Sequence, residues 1–538
     1  MKYDLYSYDL FDTVITRSTL KPEGIFAVMQ SCFKDIPELS EGAPELCGDF
    51  VLIRKNAEAV ARKKTASQEI KLSDIYAIIK KNYGLTEAQT QELLVLEEKT
   101  EILCSIALKQ RVDEILSRIS EGERVVFISD MYLSQKIIKE MLYKISPALA
   151  DLPLYLSSEI GLSKASGDLF KYVRSKEAIS FEHWIHFGDN YKSDYKIPQK
   201  LGITAKWLEP AATNGFYKYL NRCHGNSTFS LMLGCAQAAL KNSGDLSENN
   251  LYRTGALCAG PVFSTFADWI LRQSLKRGIS HLYFIARDGF IIKRIADELI
   301  KKSGINIKTS YIYSSRQAWD PKTQEQQELL ALYGKQEIKP NAKLGFVDIW
   351  GTGGSLKHFC DLCKLDASNI TLFLYGTYFY EDDALGFERM IFAQHLKLNG
   401  HIEFLAKAPE GQCTGFKLEK GHVVPLCREQ EKLDIQNFGF SQYLSGIDDF
   451  VKYWMIFKNY TLGSNNELYR LIESLISKFL FFASKDELYY FLNFPDYPKS
   501  EKNLAILRPL RVLKYQFKIF SQKLKFIEKS KILSIFRD

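Results

Sequence analysis

Four short stretches carry residues able to move a phosphoryl group, and they come in a telling order. Tyr8-Asp9-Leu10-Phe11-Asp12-Thr13 puts an aspartate at the end of an apolar alternating run, with a threonine four residues on. A carboxylate held at the carboxyl end of a strand can attack phosphorus, forming an acyl-phosphate that water later opens. Ser129 follows the apolar run Arg124–Ile128, where a hydroxyl can hydrogen-bond a phosphoryl oxygen. Lys164, in Gly161-Leu-Ser-Lys-Ala-Ser-Gly167, can neutralise charge gathering on the transferred group. Phe187-Gly-Asp189-Asn-Tyr-Lys-Ser-Asp194 supplies two carboxylates, the hard oxygen ligands that Mg²⁺ takes. Each stretch alone has a plain structural explanation: a helix cap, a solvated lysine, a turn. All four in this order, each after an expected strand, favour one site.

A second pair of stretches suits anion binding. Leu282-Tyr-Phe-Ile-Ala-Arg287-Asp288-Gly289 reads as strand, short glycine loop and the start of a helix. Sixty residues later Val347-Asp348-Ile-Trp-Gly351-Thr352-Gly353-Gly354-Ser355 repeats the arrangement. Glycines let the backbone approach an anion, and the N–H groups that open a helix bind phosphate. Either loop alone could be a tight turn. Arg316, in Tyr313-Ser-Ser-Arg316, offers a further phosphate contact or a surface charge, and Glu403 and Glu410 are candidates to touch an acceptor.

The elements that must position these groups alternate. Residues 3–10, Arg124–Ile128, Trp184–Phe187 and Gly202–Lys206 read as strands, and the stretch from about 18 to 120 reads as helical. Strands alternating with helices imply a parallel sheet, with the first helical block inserted after strand one. Pro210–Gly215 and the polar Asn242–Asn250 break the pattern, which places a linker at 209–250. A second α/β unit then runs through Leu282–Ile285, Ile307–Tyr313, Leu344–Asp348 and Ile370–Tyr380, and the chain turns helical from about 430. The expected architecture is α/β throughout, with domains at 1–208 and 251–538.

The first four motifs resemble those of the haloacid dehalogenase superfamily of phosphohydrolases, whose Rossmann-like domain carries a helical cap after the first strand. The resemblance implies Asp9 as nucleophile, and Ser129 and Lys164 as partners of the phosphoryl group. It also implies Mg²⁺ held by Asp9, the Phe11 carbonyl and Asp189, with Asp194 as a supporting carboxylate. Phosphatases of this superfamily carry a second aspartate two residues after the nucleophile, which protonates the leaving group; here that residue is Phe11. Losing a general acid removes on the order of 10²–10⁴-fold in rate. Three outcomes stay open: Asp12 supplies the proton, the reaction is slow, or the domain no longer catalyses.

The Asp348 to Ser355 loop resembles the one with which phosphoribosyltransferases hold the 5-phosphate of phosphoribosyl diphosphate. By that resemblance Thr352, Gly353, Gly354 and Ser355 hold the phosphate and Asp348 the ribose hydroxyls. Arg287 and Gly289 then face the diphosphate, and Asp288 binds metal or deprotonates the acceptor. The usual acidic pair before the loop is reduced to Asp348, with Val347 in the other place. The two halves in this order resemble the dual-domain ribofuranosyltransferases of bacterial surface-polysaccharide assembly (O-antigen or capsule). One domain there transfers 5-phosphoribose to a glycan hydroxyl and the other removes the 5-phosphate. The resemblance leaves two rivals: a transferase with a non-catalytic phosphatase-like domain, or a sugar phosphatase joined to an acceptor-binding scaffold.

Composition adds limits. The net charge of +7 over 538 residues is too small to point to nucleic acid. No apolar run reaches the roughly 18 residues needed to span a bilayer, and the first residues lack the apolar stretch of a signal peptide. The ten cysteines lie scattered in apolar contexts, which suits reduced thiols of a cytoplasmic protein. Cys360 and Cys363 with His358 look like half a metal site; no second pair follows, so they read as core positions on a helix. In the tail, Leu510, Leu513, Phe517, Phe520, Leu524 and Ile527 form a helical stripe with basic flanks. Residues 508–538 are expected either to pack as a final helix or to touch an anionic membrane, which would suit a lipid-linked acceptor.

Overall fold

The computed structural model describes residues 3–40, 42–208, 216, 227–339, 343–377, 385–393, 402–457, 465–484, 486–487 and 494–495. The chain divides into two compact units; the first takes in the chain up to Thr213 and Leu220–Ser247, and the second resumes at Glu248.

In the first unit β1 (Leu5–Tyr8) leads through a tight turn to a short strand, β2 (Ile15–Arg17), and the chain then enters helices. It returns through β3 (Ser105–Ala107), antiparallel to β2, and continues into β4 (Val125–Ser129), β5 (Leu154–Leu156), β6 (Trp184–Gly188) and β7 (Thr204–Trp207). The parallel sheet has the order β5-β4-β1-β6-β7, so β1 is central and Asp9 leaves its carboxyl end. Both neighbours are in register there: Tyr8 lies opposite Phe127 on β4 and Phe187 on β6. Strands buried on both sides need apolar runs, and Leu5, Val126, Ile128 and Trp184 are fully buried with Phe170 and Val173 of the Asp168–Glu177 helix.

The helices between β2 and β3 form a separate cap. Thr86 opens the Glu87–Cys104 helix with a capping box, its hydroxyl accepting from the Gln89 amide while Gln89 accepts from the Thr86 amide. At the centre of the cap Arg54 and Glu97 are both fully buried and joined by two bonds of 2.8 and 2.7 Å. Sequence places the cap at about 18–120; the structure ends it earlier. The Lys109–Ser120 helix lies against the sheet instead, where Tyr8 donates to Glu114 at 2.8 Å and Arg118 donates to the Tyr8 hydroxyl at 2.7 Å.

Sequence reads 209–250 as linker, but Ser227–Asn242 is a helix of the first unit, buried along most of its length. Leu231, Met232, Cys235 and Ala236 are buried, and Gly234 packs against Ser18, where a Cβ would lie 2.2 Å from the carbonyl. The helix holds β2, β3 and the segment after β2: Leu20 donates to the Ser230 carbonyl at 2.9 Å, Asn242 donates to the Ala107 carbonyl, and Lys241 donates to the Thr16 hydroxyl at 2.9 Å.

The second unit has its own five parallel strands: β8 (His281–Ile285), β9 (Lys308–Ile312), β10 (Leu344–Trp350), β11 (Ile370–Gly376) and β12 (Glu388–Ile391). Their order, β12-β11-β10-β8-β9, reverses between β8 and β10. In open parallel sheets the crevice outside such a switch point is where ligands bind. A hairpin of β13 (Cys413–Glu419) and β14 (His422–Cys427), not read from the sequence, packs on the Gln324–Glu337 helix. Cys360 and Cys363 are buried on the Gly354–Cys363 helix, as expected of core positions.

A long helical stretch, Asn250–Thr254 through Gly260–Arg277 with a π-turn at Gly255–Ala259, crosses the Phe440–Trp454 helix. Glycines make the crossing possible. A Cβ on Gly255 would lie 2.2 Å from the Tyr443 carbonyl, and one on Gly446 would lie 2.1 Å from that of Tyr252. Among the described residues no helix is long and apolar enough to cross a membrane. The 508–538 stripe lies outside the described residues.

Candidate active site

All seven sequence-derived residues of the first unit line one cavity of about 580 Å³: Asp9, Phe11, Asp12, Ser129, Lys164, Asp189 and Asp194. The register of β1, β4 and β6 brings six of them together from positions up to 185 residues apart, and Lys164 enters from the loop before the Asp168–Glu177 helix. Lys164 is at the centre, only 3% exposed, with its ammonium 2.5 Å from Asp9 Oδ1 and 2.6 Å from Asp194 Oδ1. Its backbone is fixed by Asp130, which accepts from the Lys164 amide at 2.8 Å.

Oxygens of Asp9, Asp189 and Asp194 fall within 4.8 Å of one another. Burial raises the Asp9 carboxyl; Lys164 pulls it back, and Asp194 and Asp189 push it up again, to about 8. Asp189 is pushed up to about 6, first by burial and then by Asp12 and Asp194. The balance settles on Asp194, which burial would raise but which Lys164 and His186 hold well below the usual carboxylate range. Three carboxyls around one ammonium make a site two positive charges short. A hard divalent cation against Asp9 and Asp189 would restore both as carboxylates, so the donor set fits Mg²⁺. Asp194 is already engaged by Lys164, His186 and the Asn190 amide, which leaves it a supporting role.

Asp12 does not fit the role of proton donor. Its backbone has φ = +56°, a conformation that aspartate tolerates. Its Oδ1 accepts from Thr16 at 2.8 Å and from Lys241 at 2.6 Å. Burial raises its carboxyl, but Lys241, Thr16 and Arg17 more than reverse this and hold it below its ordinary value. A carboxylate kept ionised has no proton to give. Phe11 is covered too: the Arg17 guanidinium lies 4.1 Å above its ring and is itself paired with Glu101 at 2.8 and 3.0 Å.

In the second unit Arg287, Asp288, Arg316, Asp348, Thr352, Gly353, Gly354 and Ser355 line another cavity of about 580 Å³. The β8 and β10 loops thus face one space at the switch point. Gly353 has φ = +95°, which favours glycine, and a Cβ there would crowd the Leu372 side chain at 3.1 Å. The loop is pinned by Arg389, which donates to the Thr352 carbonyl at 3.2 Å, and the Gly354–Cys363 helix starts directly behind it. Ser314 ties the β9 loop to the β8 loop by donating to the Ala286 carbonyl at 2.8 Å.

Gly289, expected to face the ligand, does not line the cavity. A Cβ there would sit 2.9 Å from the Phe284 backbone, so this glycine serves the packing of helix on strand. Glu410 is bound by the Tyr311 hydroxyl and is likewise outside the lining residues. The Glu403 side chain lies outside what is described.

Sequence reasoning missed Lys407, which is 5% exposed and lines the second cavity, and Lys241 and His186 in the first unit. With Lys407 the second cavity is lined by three cationic side chains together with Asp288 and Asp348, and Arg287 also lies 3.8 Å from the buried Glu431. Lys407 stands in Leu405-Ala-Lys-Ala-Pro, which carries no local signal, and Lys241 closes a helix that reads as a segment of its own.

No family model matches the chain, and no curated protein matches it. Among solved structures it is similar to a magnesium-bound haloacid dehalogenase-type (HAD) hydrolase from Bacillus subtilis, at 18% identity, over 39% of this chain and 91% of that one, with a TM-score of 0.29. A HAD-family enzyme from Bacteroides thetaiotaomicron, in complex with magnesium and inorganic phosphate, is 16% identical over 39% of this chain and 96% of that one, TM-score 0.27. A HAD-family hydrolase from Deinococcus radiodurans with bound phosphate and sodium is 15% identical over 41% and 87%, TM-score 0.23.

Proposed function

We propose that the chain is a Mg²⁺-dependent, two-step enzyme that installs ribofuranose on a glycan. In the second unit an acceptor hydroxyl attacks C1 of phosphoribosyl diphosphate, the C1–O bond to diphosphate breaks, and the hydroxyl proton passes to Asp288. Thr352 to Ser355 and the helix behind them hold the 5-phosphate, Asp348 the ribose hydroxyls, and Arg287, Arg316 and Lys407 offset the diphosphate charge. In the first unit Asp9 attacks the 5-phosphate, O5 leaves with a proton from solvent, and water opens the aspartyl-phosphate. Lys164 and Ser129 hold the phosphoryl oxygens. Mg²⁺ against Asp9, the Phe11 carbonyl and Asp189 would draw charge from the transferring group.

One observation carries the reading: the loops after β8 and β10, sixty residues apart, line one cavity at a sheet switch point, in a chain whose other unit gathers a nucleophile, a lysine and paired carboxylates. The capsule or O-antigen setting, the cytoplasmic location and a membrane contact through 508–538 belong to the same proposal.

The test is product analysis by mass. Protein, phosphoribosyl diphosphate, Mg²⁺ and a panel of glycan acceptors should give a ribosylated glycan. Asp9→Asn should leave the phosphoribosylated product, and Asp348→Ala should leave the acceptor unchanged. Dephosphorylated product from Asp9→Asn would sink the hydrolase half. The covered Phe11 and the ion-paired Asp12 favour a second reading, in which the first unit holds phosphate without hydrolysing it; wild-type protein would then also stop at the phosphorylated glycan.

A further inference from the structure

A line of buried polar groups runs beneath the first site and ends on Lys164. Trp184 Nε1 donates to Ser7 Oγ at 2.6 Å. Ser7 Oγ is 2.8 Å from His186 Nδ1 and 3.4 Å from the Ile185 carbonyl, so its proton goes to the imidazole, the shorter contact. That leaves the other ring proton on Nε2, which faces Asp194 Oδ1 at 3.3 Å. Asp194 Oδ1 in turn accepts from Lys164 at 2.6 Å, and Lys164 reaches Asp9. Ser7, Trp184, His186 and Asp194 are all fully buried.

Every donor in this line points toward Asp194. Phe170, at 5.0 Å and edge-on to the ring, closes one side of the imidazole. Both ring nitrogens meet polar groups, so packing alone does not account for histidine at 186. The ring accepts from Ser7 on one side, and on the other its donor fills a lone pair of a buried carboxylate that would otherwise turn toward another donor.

We propose that His186 is a positioning residue for phosphoryl transfer. It orients Asp194, and through it holds the Lys164 ammonium beside the Asp9 nucleophile. The inference rests on the hydrolase reading of the first unit, and the experiment separates the two.

Full-length wild type, His186→Leu, His186→Gln and Trp184→Phe are compared for Mg²⁺-dependent release of phosphate from p-nitrophenyl phosphate. In parallel, acetic anhydride labelling of Lys164 is read by peptide mass, with exposed Lys171 as internal reference. His186→Leu should lower kcat roughly 10–100-fold with KM nearly unchanged. It should also label Lys164 several-fold faster relative to Lys171. His186→Gln, whose amide can donate to Asp194, should recover much of both, and Trp184→Phe should shift both slightly in the direction of His186→Leu. Folded His186→Leu with wild-type kcat and wild-type labelling overturns the positioning role. Equal losses in the Gln and Leu variants would also overturn it, since the donor would then be irrelevant. If wild type releases no Mg²⁺-dependent phosphate, the hydrolase reading fails, and the labelling arm alone decides whether His186 orders Lys164.

Discussion

Removing the Lys164 ammonium should cost the first unit more than any surface ion pair could. The group is 3% exposed and lies within 2.6 Å of two buried carboxyl groups, so Lys164→Met strands the Asp194 carboxylate without its ammonium partner. Breaking a buried pair by deleting one partner costs about 3–5 kcal/mol. In metal-free buffer that should speed local opening by more than about a hundredfold. Hydrogen exchange read by mass spectrometry on peptides covering Leu5–Tyr8 and Trp184–Gly188 reports this locally, whatever the second unit does. Asp194→Asn removes that stranded charge, so the double variant should lose less than the sum of the singles, by about 0.5–3 kcal/mol. Mg²⁺ should return part of the loss in Lys164→Met by replacing the missing positive charge. If exchange in both peptides changes less than threefold, or the two substitutions add, Lys164 is not the counter-charge that holds this site together.

Mg²⁺ at a hundred times its Kd should stabilise the wild type by about 2.7 kcal/mol. Asp189→Asn should abolish that gain in a thermal scan with and without EDTA, while leaving the metal-free protein no less stable. Asp12→Asn should slow release of phosphate from ribose 5-phosphate less than about tenfold, because the Asp12 carboxylate is committed to Lys241. A loss of about 10²–10⁴-fold would restore it as the acid. Gly446→Ala puts a Cβ 2.1 Å from the Tyr252 carbonyl and should cost roughly 1–3 kcal/mol in urea unfolding. Burial raises the Glu410 carboxyl despite the Tyr311 hydroxyl that donates to it. The folded state therefore binds its proton more tightly than the unfolded chain does. Stability should fall as pH rises from the ordinary glutamate range through the raised value. Tm against pH should be flatter in Glu410→Gln over that window, and an unchanged slope would contradict the shift.

The parts legible in the sequence share a cause. Parallel strands buried on both faces must be apolar runs, and His281–Ile285, Leu344–Trp350 and Ile370–Gly376 fall within a residue or two of where such runs stand, apart from the C-terminal end of the last. Residues at strand ends are then brought together by register, which is why seven positions chosen from spacing line one cavity. What stayed hidden depends on partners remote in sequence. The Ser227–Asn242 helix is rich in small residues with no polar face, so its sequence does not say what it packs on. The ion pair of Asp12 with Lys241 spans 229 residues and could not be read from Asp-Leu-Phe-Asp-Thr itself. Gly289 misled for the opposite reason: glycine marks close approach, but here to Phe284 rather than to a ligand.

The brace formed by Ser227–Asn242 also sets an order of events during synthesis. The sheet and cap are complete once Trp207 has been made, yet the helix that ties Ala107, Thr16 and Leu20 is still to come. At roughly 5–20 residues per second that interval lasts about 2–7 s. For those seconds the seat of Leu231, Met232 and Cys235 stands open, an apolar surface that a chaperone or another nascent chain can reach. Slow codons between 208 and 227 would lengthen the exposure without changing a single residue, and a gene cut at 208 would make it permanent.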